Sequence, residues 1–295
     1  MTYSMKVLVG MALGVAALTG VANRAWAMVE LPDNASIRTS TLGLELAGKV
    51  ELAGSDSRSE TFQKEVLPEI QKIVNLNLAE RVSMGKVETF ALDPKQLALS
   101  YASNVRVYFV GEGAGYQNSL GFYTTEYSQQ MGIGATDAKI IFPNASSNSS
   151  YMGESDVWRT PSNPLLSGDF VDLGTQTAGT QLSYFLVSNG NQGGRSVLTT
   201  DPTNNPDKLQ HVVSFAMAVA NSPYLILGFE DMLGGGDKDY NDVVIAVDIG
   251  RINVAQLMGT AVPLPTPIWA ALAPAGWMVY SGIRRRMAKK NVTNM

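Results

Sequence analysis

YLILGFEDMLGGGDKDYNDVVIAVDIG, residues 224–250, consists of two apolar runs around an acidic, glycine-rich turn. Tyr224 to Phe229 and Val243 to Val247 have the length and the β-branched and aromatic content of strands. Between them lie Glu230, Asp231, Asp237, Asp239 and Asp242, with Asn241 among them and only Lys238 opposing. Gly234, Gly235 and Gly236 supply a sharp turn free of Cβ clashes. Pairing the runs as a hairpin sets Glu230 beside Asp242 at the mouth of the loop and crowds five carboxylates into a small volume, where like charges repel. A hard cation relieves that repulsion. Every donor in the loop is oxygen, and no His or Cys stands near, which favours Ca2+ over zinc or copper. The predicted metal residues are therefore Glu230, Asp231, Asp237, Asp239, Asn241 and Asp242. Asp237, Asp239 and Asn241 match the opening of an EF-hand loop, but Asp242 stands where that loop needs Gly and Asp248 where it needs Glu. With strands on both flanks, the reading is a β-hairpin calcium loop. The bland alternative is a solvated acidic turn.

The run GFEDMLGGGDKDYNDVVIAVDIG resembles the signature of a bacterial family known as domain of unknown function 4114. Two further stretches resemble that family, VGEGAGYQNSLGFY at 110–123 and HVVSF at 211–215. The resemblance implies a calcium-dependent, all-β module of exported or surface proteins, and no reaction. It also brings in Glu112 and Asn118 as candidates for metal or loop contacts, with a self-bonded glycine turn as the equal alternative. His211, the sole histidine, reads as a structural hydrogen-bonding residue, since no Ser or Cys nucleophile motif accompanies it.

Around this centre the 295-residue chain has no cysteine, which rules out a disulfide framework. Its net charge of −4 conceals an asymmetry. The ends, 1–27 and 263–295, hold seven basic residues and no acid, so 28–262 keep 15 of the 22 basic side chains and all 26 acidic ones, a net −11. That charge argues against nucleic acid as a partner. Met1 to Ala27 reads as a secretory signal peptide: Lys6, an apolar run from Val7 to Ala22, then Ala25-Trp26-Ala27 as the cleavage pattern.

Residues 28–100 form an N-terminal region with one amphipathic helix from Ser57 to about Asn75, with Ser57 and Glu60 as its capping box and Phe62, Val66, Ile70 and Ile73 or Val74 on one face. Residues 101–250 form the calcium-type domain. Val105 to Val110, Lys139 to Phe142, Gln181 to Val187 and His211 to Ala218 read as strands among Gly-, Asn- and Pro-rich turns. Pro143 to Gly179 reads as a long loop or insertion, with Asp169 and Asp172 as surface acids or further ligands, and Asn189 to Lys208 as a second loop. The fold class is mainly β: an antiparallel β-sandwich with one N-terminal helix and a C-terminal hydrophobic helix.

Residues 251–267 read as a linker ending in the VPLP motif (262–265). Residues 268–295 follow as a membrane segment, Ile268 to Ile283, and a basic tail opened by Arg284, Arg285 and Arg286. This tail resembles a PEP-CTERM sorting signal in its VPLP form, which implies an exosortase-type sorting enzyme as partner and a cell-surface or extracellular destination. It departs from that pattern in Thr266-Pro267 and in Asn291 to Met295 past the basic cluster. The apolar segment is 16 residues, short of the about 20 that span a bilayer. The plain alternative is a C-terminal anchor, with the arginines staying cytoplasmic. Two function classes remain: a non-enzymatic, calcium-stabilised surface or matrix protein associated with extracellular polysaccharide, and a calcium-dependent glycan-binding module. A glycan array with and without chelator separates them. A hydrolase using paired acids ranks third, because five acids in one glycine-rich loop suit a cation cage.

Overall fold

A computed structural model describes residues 42–78, 91–124, 137–148, 158–217 and 221–259. The predicted signal peptide, the VPLP motif, the apolar tail segment and the basic cluster lie outside the described residues. No helix among the described residues is long and apolar enough to cross a membrane.

Two sheets face one another. The six-stranded sheet has the order β2 (Ala91–Leu92), β9 (Val212–Ala216), β10 (Tyr224–Phe229), β11 (Val243–Asp248), β3 (Ser103–Gly111), β6 (Phe170–Gln176), and every neighbouring pair is antiparallel. The five-stranded sheet has the order β1 (Glu45–Leu46), β5 (Lys139–Phe142), β4 (Ser119–Tyr123), β7 (Ser183–Val187), β8 (Val197–Thr199). Its edge pair β1–β5 runs parallel, so this sheet is mixed where the sequence predicted purely antiparallel pairing.

Strand periodicity sorts the side chains. Leu225, Leu227 and Phe229 of β10, Val243, Ile245 and Val247 of β11, and Val105, Val107 and Phe109 of β3 point inward. They meet Leu120 and Phe122 of β4 and Tyr184 and Leu186 of β7. The intervening residues Tyr224, Ile226, Val244, Ala246, Tyr108 and Val110 form the outer face, which the helix covers with Phe62, Ile70 and Val74. Burial on both faces explains why these strands read as unbroken apolar runs rather than as alternating ones.

The helix comprises α1 (Ser57–Thr61), a π-helical segment (Phe62–Val66) and α2 (Leu67–Asn77). Its cap is Asp56, not Ser57: the Asp56 carboxylate accepts the Ser59 N–H at 2.7 Å, and Ser59 Oγ accepts the Asp56 N–H at 3.2 Å. The π-helical turn leads directly into Pro68, whose ring removes the N–H that a regular helix would need there. Phe62 stacks on Tyr108 at 3.8 Å between centroids. Arg58 bonds Asp248, and Arg106 joins Asp56 (2.9 Å) to Asp172 (3.1 Å) while lying 4.2 Å over the Phe170 ring.

Three stretches differ from the sequence reading. Pro143 to Gly179 is not a plain loop, since it contains β6, an edge strand whose Asp172 and positive-φ Gly174 break the apolar pattern. Asn189 to Lys208 contains the three-residue β8. Arg251–Leu257, at the start of the predicted linker, forms α3, whose buried Asn253 bonds both the N–H and the C=O of Tyr101. Asp169 is not a surface acid: it is fully buried, its carboxylate paired with Arg159 and accepting the N–H groups of Ala53 (3.0 Å) and Leu166 (2.8 Å).

Candidate metal centre

The β10–β11 hairpin closes with Phe229 opposite Val243. Glu230 and Asp242 are the next residues out, side by side at the loop mouth as the pairing predicts. Below them, Gly228 leaves room for the Tyr240 carbonyl, which would lie 2.4 Å from a Cβ at that position. Gly234, Gly235 and Gly236 all take positive φ, at +87°, +84° and +42°. Gly236 is the most constrained: a Cβ there would lie 2.0 Å from Glu230 Oε1, so the Glu230 carboxylate occupies the space a side chain would need. Lys238 and Tyr240 also take positive φ, a strain that non-glycine residues bear only when their surroundings hold them.

The carboxylates gather into two groups that share Glu230. Oxygens of Glu230, Asp237 and Asp239 lie within 4.8 Å of one another, as do those of Glu230, Asp231 and Asp242. Glu230, Asp231, Asp239 and Asn241 are buried, Asp242 is partly buried and Asp237 is exposed. Backbone donors orient the cluster. Glu230 accepts the Lys238 N–H at 3.0 Å, and Asp242 accepts the Asp231 N–H at 2.7 Å. Asn241 donates through Nδ2 to Asp239 at 3.0 Å and to the Leu78 carbonyl at 3.3 Å, which ties the C-terminal end of the helix to the loop.

Crowding in a dehydrated site disfavours the charged forms. Burial pushes the Asp242 carboxyl up to about 8, with the Asp231, Glu230 and Asp239 charges adding to it. Burial, then the Asp237 and Asp231 charges, raise Glu230 against the backbone bonds from Lys238 and Met232. Asp231 is raised likewise by burial and by the charges of Asp237 and Asp239, against the bond from Asn118. The arrangement is costly when fully ionised, and a divalent cation among these oxygens removes the cost. The residues present fit Ca2+: all donors are oxygen and several are carboxylates, gathered within 4.8 Å of one another in each group.

Asn118 and Glu112 act one layer further out. Asn118, fully buried, donates Nδ2 to Asp231 at 2.7 Å and accepts the Asn189 N–H at 2.9 Å. Glu112 braces its own loop by accepting the N–H groups of Ala114 (2.8 Å) and Ser147 (3.0 Å), and the Gly113 N–H reaches the Asn241 carbonyl at 3.0 Å. His211 faces the Glu230 carbonyl through Nδ1 at 3.1 Å and Asp207 through Nε2 at 2.9 Å, a hydrogen-bonding role like the one the sequence suggested. Asp207 was missed. It sits in a stretch read as loop, and its only sequence cue is its place four residues before the sole histidine.

None of the curated proteins and none of the solved structures matches this chain. The upstream stretch at 110–123 falls outside the residues that match a family model. Residues 177–250, which contain β7 to β11 and the six acidic and amide residues of the hairpin loop, Glu230, Asp231, Asp237, Asp239, Asn241 and Asp242, match the family model described as Domain of unknown function (DUF4114), while Glu112 and Asn118 lie outside the match.

Proposed function

We propose that this chain is an exported, non-enzymatic surface or extracellular-matrix protein whose β-sandwich is stabilised by Ca2+ at the mouth of the β10–β11 hairpin. Its C-terminal tail directs it to an exosortase-type sorting enzyme, and extracellular polysaccharide is the matrix into which it is anchored or released. The observation that carries the calcium reading is the double carboxylate group around Glu230, buried for the most part and gathered within 4.8 Å. Asp237, Asp239 and Asn241 supply side-chain ligands, and Glu230, Asp231 and Asp242 complete or support the shell. A glycine turn and backbone N–H groups that hold the acids in place support a cation cage over acid–base chemistry. Export rests on the leader-like first 27 residues and the VPLP tail.

A cation that binds only the folded state stabilises it by RT ln(1 + [Ca2+]/Kd), about 2.7 kcal/mol at a hundredfold excess over Kd. Extracellular modules have Kd values on the order of 10⁻⁴–10⁻³ M. Thermal unfolding of the purified protein in calcium and in chelator tests the reading. Wild type melts higher with calcium, and Asp239→Ala loses most of that difference. A calcium shift that survives in Asp239→Ala places the cation elsewhere, and no shift in wild type returns the loop to a plain acidic turn.

A further inference from the structure

The loop that carries the acids is held from outside by two residues that are not among its candidate ligands. His211 stands immediately before β9 and grips Glu230 at both backbone ends: the His211 carbonyl accepts the Glu230 N–H at 2.9 Å, and Nδ1 faces the Glu230 carbonyl at 3.1 Å. Its other nitrogen, Nε2, faces Asp207 Oδ2 at 2.9 Å. That same Asp207 oxygen accepts the N–H of Gly234, the first glycine of the turn, at 2.7 Å. Asp207 Oδ1 accepts the Leu209 N–H at 3.0 Å, which fixes the carboxylate's own orientation. The turn also rests on Leu209, whose Cδ1 would lie 3.7 Å from a Cβ at Gly235.

We infer that Asp207 and His211 are positioning residues for the cation loop: they hold Glu230 and Gly234 at a fixed separation, and so set the affinity of the site. This inference rests on the calcium reading above. The physical argument is one of preorganisation. Between Glu230 and Asp237 the chain passes through three glycines, which left alone would sample many conformations. Glu230 belongs to both carboxylate groups, while Asp237 and Asp239 arrive from beyond the turn. The Lys238 N–H on Glu230 and the Asn241 amide between Asp239 and Leu78 hold the far side of the turn, while the glycines on its near side keep freedom that would let Asp237 shift. The fixed point at Gly234 removes that freedom before the cation arrives, so less ordering entropy is lost on binding. Asp207 suits the task because it is charged and only accepts. Burial works against its charge, but the Gly234 and Leu209 N–H groups and His211 outweigh burial and hold it at about 2.

The test compares the full chain with Asp207→Ala and Asp207→Asn, with Asp239→Ala as the ligand-loss reference. Calcium affinity is read by calorimetric titration with CaCl2, fold stability by melting in chelator, and the turn by amide hydrogen exchange at Gly234 to Lys238 in chelator. Removing a partner that orients a metal ligand weakens binding by about 10–100-fold. Asp207→Ala is expected to show a loss on the order of tenfold with faster exchange confined to the turn, while Asp207→Asn, which keeps an oxygen for the Gly234 N–H, recovers part of the affinity. A merely structural role lowers melting in chelator and leaves affinity and its partial rescue unmoved; that result, with wild type still binding calcium, overturns the positioning role alone. Wild type that takes up no calcium overturns the calcium reading and the affinity role with it.

Discussion

Calcium uptake at pH 7 should expel about one proton from the carboxylate cluster of Glu230, Asp231 and Asp242, whose carboxyls are all raised by burial and mutual repulsion. Folding raises the Asp242 carboxyl from its ordinary 3.8 to about 8, first through burial and then through the neighbouring Asp231, Glu230 and Asp239 charges. One pH unit below its pKa a group is about nine-tenths protonated. Coordination needs the carboxylate, so the proton leaves as the cation enters. With about one proton displaced, apparent affinity tightens about tenfold per pH unit up to about pH 8 and then levels off. Stability in chelator has the opposite trend. A carboxyl whose folded pKa is raised contributes stability fully below its unfolded value and loses it as pH rises through the folded value. The chelated protein therefore melts progressively lower between about pH 4 and 8. The assay is calorimetric titration in two buffers of different ionisation enthalpy, at pH 6, 7, 8 and 9. Calcium uptake with no proton released at pH 7, and with equal affinity at pH 6 and 8, would refute a cluster carboxyl held protonated at neutral pH and displaced by the cation.

Three further outcomes are expected. Gly236→Ala meets both a positive φ and the Glu230 carboxylate 2.0 Å from the new Cβ, so it should cost about 1–3 kcal/mol of stability and abolish most of the calcium-dependent rise in melting temperature; an unchanged rise contradicts the placement of Glu230. Arg159→Ala leaves the buried Asp169 without its counter-charge and should lower stability in urea unfolding by about 3–5 kcal/mol, with a loss below about 1 kcal/mol counting against the pair. Deleting Pro263 to Met295 should move the protein from cells to medium on immunoblots of the two fractions, and equal cell association of the truncated chain would end the sorting reading.

The hairpin was legible because its strands lie in the middle of the larger sheet. β10 and β11 have β9 and β3 as their outer neighbours, so both faces are dry and the composition is apolar throughout. The acids then appear as an abrupt change at Glu230 and end as abruptly at Asp242. Edge elements leave no such trace. β6 can afford Asp172 and Gly174 because it is the last strand of its sheet, its outer side bridged to Glu51 only at Phe170 among the described residues, and β8 is too short to set a period. Long-range partnerships were invisible for a different reason. Asn118 and Asp231 stand 113 positions apart, and no residue pattern near either one names the other. The sequence allows Asp169 as a surface acid or a further ligand, because a charge beside an apolar pair is usually exposed; its burial depends on Arg159, ten positions upstream in a stretch without periodicity. The helix cap moved by one residue because Asp56 and Ser59 make the same reciprocal pair that Ser57 and Glu60 could have made, and Asp56 has the added attraction of Arg106.

The position of the acid loop decides how far a cation's stabilisation would spread. Asp231 continues from β10 in the six-stranded sheet, and its carboxylate is held by Asn118, which directly precedes β4 in the other sheet. Asn118 also accepts the Asn189 N–H just past β7, and its carbonyl accepts the Ala145 N–H beyond β5. Asn241 reaches the helix through Leu78 and the loop after β3 through Gly113. Both sheets and the helix thus join one hydrogen-bonded network around the carboxylate cluster, the helix through Asn241. In chelator that junction is the place where like charges oppose closure of the sandwich. With a cation bound, the same junction would oppose its opening, because separating the sheets would strip Asp231 of Asn118 and expose the ligands together. On the proposed calcium reading, a chain without cysteine would gain in this way a cross-link between distant segments that forms only in the folded state, and the link should act on unfolding of the sandwich as a whole rather than on the loop alone.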